Sequence, residues 1–372
     1  SLLCISVLDD AGEVLESKLD EATAQALDEQ YNCLVFPEPV CSDPCTTDID
    51  KKLTDYVIQN TTRAPDGRLI MPLTWDNRNA HLLGGNFGLA RKILMSNYNK
   101  LRKEPEKLKM YDAVFKEQLD LGVIERIRNL ESFKNEHPTH SFIAHMGVYR
   151  MNNASTKCRV VLLSNLCERN GNQPNSVSHN QAMLPGECLN NKISIATILF
   201  RFDKYLLTFD IVKAFLNVQL REVDFDRLVV LWFKSILEND LSLVAYKYVR
   251  LPFGLRPSPT ILMIALYFIL IRDDDGSCER LTHMKRIMFS LMYVDNGGYS
   301  CNSCEELEWA YSKMKEIFGA YKFCLQQFVT NDSELQQKID RATEIETDRE
   351  VKLLGLKWSR TSDKLLPASL SL

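Results

Sequence analysis

The sequence predicts an α+β fold, and three observations carry that expectation. Strand-like and helix-like periodicities both occur along the chain. The two mix without a steady β-α-β rhythm, which argues against a doubly wound sheet. Composition is that of an ordinary globular protein, with 45% hydrophobic and 25% charged residues over 372 positions. That length is enough for two or more packed lobes. A net charge of -4 excludes a protein coated in positive charge and leaves room for basic residues gathered in one cleft.

The 11 cysteines are an odd number without framework spacing, and read as free thiols in a reducing compartment. The pairs Cys41/Cys45 and Cys301/Cys304 lack a second cysteine or histidine pair at zinc-site spacing. Asp9, Asp10 and Glu13 interrupt the early apolar run Leu2 to Leu8, so no secretory signal is expected. The longest apolar stretch, Ile261 to Ile271, is too short for a bilayer and reads as a buried helix. These features point to an intracellular, cytoplasmic protein with no membrane partner, the nucleus staying open. The missing initial Met and the stop at Leu372 suit a piece of a longer polyprotein.

Residues 1–60 read as a short helix and a proline- and cysteine-spotted tether. The alternation Leu69, Met71, Leu73 predicts a strand over Arg68 to Thr74. Ala90 to Arg128 is helical in period, and Pro105 is expected to break it into two helices. Lys100, Arg102, Lys103, Lys107 and Lys109 on its first part form either a solvated face or a phosphate-tracking surface. Strand-like runs follow at Val160 to Leu163, Leu206 to Phe209, Leu228 to Phe233 and Val244 to Val249, with a loop over Asn170 to Ser178. After Leu251 come a helix and the run Ile287 to Val294, then an amphipathic helix over Glu305 to Phe318. Val351 to Trp358, the turn Thr361-Ser362-Asp363 and Leu365-Leu366 read as a closing hairpin.

Two segments put a carboxylate at the end of an apolar run: Tyr205-Leu-Leu-Thr-Phe-Asp210 and Met292-Tyr-Val-Asp295-Asn296. Strand ends hold side chains rigidly, and two neighbouring carboxylates can share hard cations that cancel their repulsion. Taken singly, Asp210 reads equally as a helix N-cap for Val212 to Leu216, and Asn296-Gly297 as a type I′ turn.

The order of the blocks distinguishes these readings. Asp210-x-x-x-Ala-Phe215, then Leu251-Pro-Phe253-Gly254-Leu-Arg-Pro-Ser-Pro259, then Tyr293-Val-Asp295-Asn296 resemble motifs A, B and C of reverse transcriptases. Upstream, Gly147 to Val161, with Lys157 and Arg159, resembles the fingers strand pair of that family. Downstream, Lys352-Leu-Leu354-Gly355-Leu-Lys-Trp358 resembles its primer grip. Asp66-Gly67-Arg68 and the Tyr111 to Gly122 segment give the resemblance a BEL/Pao-type retrotransposon character. It covers residues 60–366.

The resemblance implies a right-hand polymerase with an N-terminal extension over 1–60, mainly fingers over 61–200, mainly palm over 201–345, and a primer-grip-like hairpin over 346–372. It implies an RNA-directed DNA polymerase that extends a primer on an RNA or DNA template with dNTPs and two Mg2+ ions, Mn2+ substituting. Asp210 and Asp295 would hold the metals, helped by the carbonyl of Ile211, with Asn296 beside them. Lys157 and Arg159 would clamp the triphosphate. Phe215 would be the steric gate against a 2′-hydroxyl, Phe253 and Gly254 would contact the nucleotide, and Leu354 and Gly355 would support the primer end.

The sequence departs from the pattern at three places. Asn296 stands where relatives have a second Asp, Gln327 where they carry a lysine, and Leu162-Leu163-Ser164-Asn165 replaces a segment that usually contains Asp. These departures keep a second reading in view: an inactive or domesticated palm that binds RNA or protein. No aspartic-protease signature and no room for an RNase H domain is found within the chain.

Overall fold

Mixed helices and mostly antiparallel strands build the fold, as expected of an α+β protein. The computed structural model describes residues 4–8, 14–18, 48–149, 158–168, 176–191, 200, 203–236, 238, 240–353, 356–360 and 362–367. The chain divides into two compact units, each assembled from separated stretches of sequence.

The first unit comprises residues 1–61, 70–188 and 218–258. Its three-stranded antiparallel sheet runs in the order Val229–Ser235, Asp240–Tyr248, Ile124–Ile127. The expected helical stretch is two helices, Phe87–Leu101 and Pro105–Asp120, with Pro105 opening the second. The helical reading fails beyond Asp120. Gly122 takes φ +62 and ends the helix, and Ile124–Ile127 continues as a strand paired to Tyr248–Ala245. Lys107 and Lys109 pair with Glu104 and Glu106 one turn away, which favours the solvated-face reading for this end of the helix.

An aromatic core holds the unit together. The rings of Phe115 and Trp232 stack 4.5 Å apart, and Tyr111 packs against Trp232 at 4.7 Å. Polar groups inside this core are satisfied. Trp232 Nε1 donates to Asp112, and Tyr248 donates to Gln118. Fully buried His145 donates from Nε2 to the Leu231 carbonyl at 2.8 Å and accepts from the Tyr111 hydroxyl at Nδ1.

The second unit comprises residues 62–69, 189–217 and 259–372. Its sheet has Tyr205–Ile211 in the middle, flanked antiparallel by Asn296–Cys301 and Leu325–Thr330. Six of the seven central residues alternate or repeat as apolar or Thr, so both faces can be covered by helices. The helix Cys304–Gly319 is capped by Ser303, whose hydroxyl accepts from Glu306 N, and buries Leu307, Ala310, Met314 and Phe318 along one face. Phe200, Leu206, Leu291, Val329, Leu353 and fully buried Trp358 form one core cluster.

The closing segment is a three-stranded antiparallel sheet, Glu350–Leu353, Leu356–Ser359 and Lys364–Pro367, rather than a hairpin. Val351 to Trp358 is two strands, because Val351 pairs with Trp358 itself and Leu353 with Leu356. The apolar stretch Ile261 to Ile271 is helical and buried as expected, ending in one π turn over Phe268–Arg272. At the N-terminus a hairpin, Cys4–Leu8 with Val14–Lys18, stands where only a helix and tether were expected; a helix follows at Asp48–Gln59. No helix among the described residues is long and apolar enough to cross a membrane.

Burial pushes the imidazoles of His145 and His179 down to about 4. An unfolded histidine titrates near 6.5, so below that pH the unfolded chain binds protons that the folded chain refuses. The stability carried by these neutral rings is complete above pH 6.5 and is lost as pH falls towards 4. With two such groups the slope approaches ~2.7 kcal/mol per pH unit within that window. Urea midpoints measured from pH 7 to pH 5 are expected to fall accordingly, with His179→Asn roughly halving the slope.

Candidate active site

The two sequence-marked aspartates of the second unit come together at one end of its sheet. Asp210 lies within the central strand, one residue from its end, so it is not a helix N-cap. The one-turn 3-10 helix that follows covers Ala214–Asn217. Asp295 is reached differently from what the apolar run Ile287 to Val294 predicts. That run is the end of the helix Glu279–Leu291, whose inward face is Met284, Lys285, Met288 and Leu291. Spacings of three and four, not two, decide between the readings.

A tight turn over Tyr293–Asn296 then reverses the chain. Tyr293 N donates to Asn296 O at 2.8 Å, and Asn296 N returns the bond to Tyr293 O at 3.0 Å. Asn296-Gly297 is therefore the start of a strand, and the central turn residues are Val294 and Asp295. Val294 takes φ +55, a region that a β-branched residue rarely adopts. A positive φ at the first central position alone is what a type II′ turn uses, normally with glycine. Such a conformation costs ~1–3 kcal/mol and persists only where its surroundings over-determine it.

Three surroundings do so. Ile211 N donates to Asp295 O at 2.8 Å, tying the turn to the central strand. Asn191 Nδ2 donates to the carbonyls of Phe289 at 3.1 Å and Met292 at 2.9 Å, closing the helix end that feeds the turn. Gly297 and Gly298 let the strand lie flat against its neighbours. A Cβ on Gly297 would stand 2.5 Å from Met292 Sδ and from the Phe209 ring, and one on Gly298 2.4 Å from Phe200.

The register sets Asn296 directly opposite Asp210, and Gln326 opposite it on the other side. Both neighbours are amides, and both donate to carboxylates. Asn296 Nδ2 reaches Asp295 Oδ1 at 3.0 Å, and Gln326 Nε2 reaches Asp210 Oδ2 at 3.1 Å. Gln326 was missed in the sequence, where attention falls on Gln327. The strand Leu325–Thr330 carries a bulge between Gln326 and Val329, with Gln327 at φ +52 and exposed to solvent. No local signal in Leu325-Gln-Gln-Phe328 marks which of the two glutamines faces Asp210.

Phe215 lies in the 3-10 turn after Asp210 and is 7% exposed. The second unit thus brings together Asp210, Ile211, Asp295 and Asn296, with Phe215 close in sequence.

Arg159, Phe253 and Gly254 belong to the first unit. Arg159 lies on the strand Cys158–Leu162, paired with Val148, and is exposed. Gly254 takes φ +95, and a Cβ there would stand 2.6 Å from the Leu162 carbonyl. Its glycine is thus required by the protein's own backbone, beyond any approach to a ligand. Asn180 fixes the same loop, donating to Gly254 O at 3.3 Å and to Asn165 Oδ1 at 2.7 Å while accepting from Arg256 N at 2.9 Å. Asn165 is thus a clamp residue in the segment where the sequence departs from the family pattern. Phe253 is half-buried in this loop. Lys157, Leu354 and Gly355 lie outside the described residues, as do Cys41 and Cys45.

Mg2+ takes one or two protein carboxylates and fills its remaining positions with water or substrate oxygens, so a pair of aspartates at one sheet end is a donor set of the kind it uses. No cluster of three or more His, Cys, Asp or Glu able to hold a metal occurs among the described residues. Cys301 and Cys304 donate instead to Ser303 O and Asp332 Oδ2.

Replacing Asn191 with Ala is expected to cost ~1–3 kcal/mol by removing the amide donor from the Met292 carbonyl and leaving the Phe289 carbonyl with only the Met292 N–H. Amide exchange at Tyr293 and Asn296 should accelerate before that of the sheet as a whole. Unchanged exchange at those two amides would remove Asn191 from the support of the turn.

No family model and no curated protein matches the chain. Among solved structures it is similar to a crystal structure of prototype foamy virus protease-reverse transcriptase, a CSH mutant, at 15% identity with a TM-score of 0.41. The match covers 59% of this chain and 23% of that one, so the chain spans about a quarter of the viral protein's length.

Proposed function

We propose that this chain is a reverse transcriptase polymerase domain of BEL/Pao type, part of a longer Pol polyprotein, that adds deoxynucleotides to a primer on an RNA or DNA template. One observation carries the reading: Asp210 and Asp295 meet at the end of an antiparallel pair, with Ile211 N bonded to the Asp295 carbonyl at 2.8 Å. Two carboxylates, one near a strand end and one in the turn that opens the neighbouring strand, are what phosphoryl transfer with hard cations needs, and little else has to be supplied covalently.

Mg2+ ions bound there supply charge neutralisation and a lowered pKa for the attacking 3′-hydroxyl. Asp210 and Asp295 would hold them, with the Ile211 carbonyl as a further oxygen donor. Lys157 and Arg159 would orient the triphosphate through charge-assisted hydrogen bonds. Phe215 would crowd a ribose 2′-position, Phe253 and the Gly254 turn would support base and sugar, and Leu354 and Gly355 would steady the primer end. Alignment and charge compensation then account for most of the rate.

Asn296 and Gln326 lower the negative charge of the pair without removing a carboxylate. The expected result is an attenuated polymerase. The rival reading, a palm that binds RNA or protein without catalysis, draws on the same two amides, since each occupies a carboxylate oxygen that a cation would need.

Primer extension on an RNA template, with Mg2+ and then Mn2+, decides between them. Wild-type protein should extend the primer, and Asp210→Asn should abolish extension while leaving duplex binding nearly unchanged. Binding without extension in either metal would establish the rival. Asn296→Asp should raise the rate at least several-fold if charge is what limits it, and Phe215→Val should admit ribonucleotides.

A further inference from the structure

The first unit contains a cavity of about 690 Å3 that the polymerase reading does not use. We propose that this cavity is a nucleotide-binding site, taking a base on its aromatic rings and a phosphate on its arginines. Volumes of about 300–1,000 Å3 are usual for small-ligand sites, and a mononucleotide fits within them.

Its walls come from separate parts of the unit. Tyr56 stands on the helix Asp48–Gln59, Trp75 and Asn77 on the segment after Met71, and Arg221 and Arg227 flank the short helix Glu222–Phe225. Two guanidiniums and His81 line the space, and no acidic side chain does. The nearby carboxylates are engaged elsewhere: Asp76 with Arg78 at 3.0 Å and Asp226 with His137 at 2.7 Å. In a chain of net charge -4, an arginine facing a space with no carboxylate in its described lining favours an anion.

Asp224 lies behind the wall, 1% exposed, and organises it. It accepts from Trp75 Nε1 at 2.8 Å and Leu73 N at 3.2 Å, which fixes the indole. Arg221 lies 3.7 Å from the same carboxylate and donates to the Tyr56 hydroxyl at 3.0 Å, so its charge is largely answered. Arg227 shares the field of Asp224 but is held differently: its guanidinium covers the Trp75 ring at 4.8 Å, and among the described residues it donates no side-chain hydrogen bond and makes no ion pair within 4 Å. A fork of five N–H donors held over an indole, facing a cavity, matches a phosphate with a base stacked beside it. Tyr56, an aromatic 37% exposed at the same cavity, offers the second stacking surface.

A free nucleoside phosphate and the unpaired nucleotide of a single strand share this chemistry. Ultraviolet cross-linking with 4-thiouridine 5′-monophosphate and with a 4-thiouridine-containing RNA decamer, mapped by peptide mass spectrometry, tests the site and separates the two sources. Adducts are expected on the tryptic peptides Leu53–Arg63 or Leu69–Arg78, which contain Tyr56 and Trp75. Arg227→Gln, verified as folded by its urea midpoint, should cut their yield about tenfold below saturation, and Arg227→Lys less. Labelling by the monophosphate identifies a small-nucleotide site, and labelling by the decamer alone a strand site. Asp210→Asn should leave the adducts unchanged, so a failed polymerase reading would not remove them. Absence of adducts on both peptides, or adducts indifferent to Arg227→Gln, would overturn the proposal.

Discussion

The second unit depends on one pairing, that of Tyr205–Ile211 with Asn296–Cys301, and on its register. Because side chains alternate along a strand, a slip of one residue would turn Asp210 away from Asn296 and Phe209 into its place. Two glycines pin the register. Phe209 and Phe200 occupy the volume that side chains at 297 and 298 would need, so no other pair of strand residues can face them. Phe209 in turn packs edge-on to Phe318 at 5.7 Å, joining the helix Cys304–Gly319 to the same arrangement. The positions of both aspartates thus depend on packing a few residues away as well as on the bond from Ile211 N to the Asp295 carbonyl.

What the amides do at this site is a matter of electrostatic bookkeeping. A third carboxylate opposite Asp210 would add repulsion at a distance where two unit charges in a partly exposed site interact by several kcal/mol. Asn296 and Gln326 replace repulsion with donated hydrogen bonds, so the pair is stable without any cation. Binding of cations must then turn those amides aside or leave them on the outer oxygens. On the proposed function, the same amides that steady the two carboxylates therefore weaken their pull on metal. That single trade underlies both the attenuated-enzyme reading and its rival.

Much of this was legible in the sequence, and the failures have physical causes. The α+β class, the helix break at Pro105, the helix 304–319 and the strand of Asp210 follow from local periodicity and punctuation, which short-range sterics enforce. The approach to Asp295 does not. Ile287 to Val294 is apolar enough for a strand, and only the buried face at 284, 288 and 291 shows a helix. The sequence reading puts the turn two residues late because Asn-Gly is the usual hairpin signal, whereas here the glycines answer a packing demand from Phe200 and Phe209. Gln326 was invisible because a bulge shifts the register by one, and nothing in Leu-Gln-Gln-Phe announces it. The Arg227–Trp75 stack joins residues far apart in sequence, beyond the reach of any local pattern.

On the proposed function, the strained backbone at Val294 places the turn with function as well as with folding. A glycine at this position would adopt φ +55 without strain, as Gly122 and Gly276 do at φ +62 and +67. Retaining a β-branched residue there is a loss of stability that the local backbone does not require. It is tolerated because Ile211 N, Asn191 and the paired Tyr293–Asn296 bonds hold the turn from three sides. A stiff side chain in that frame restricts the turn more than glycine would, and the restricted element is the one that carries Asp295. Rigidity at a carboxylate is worth a kcal/mol or so of strain only where that carboxylate must be aimed, since a loop with no ligand to meet gains nothing from it.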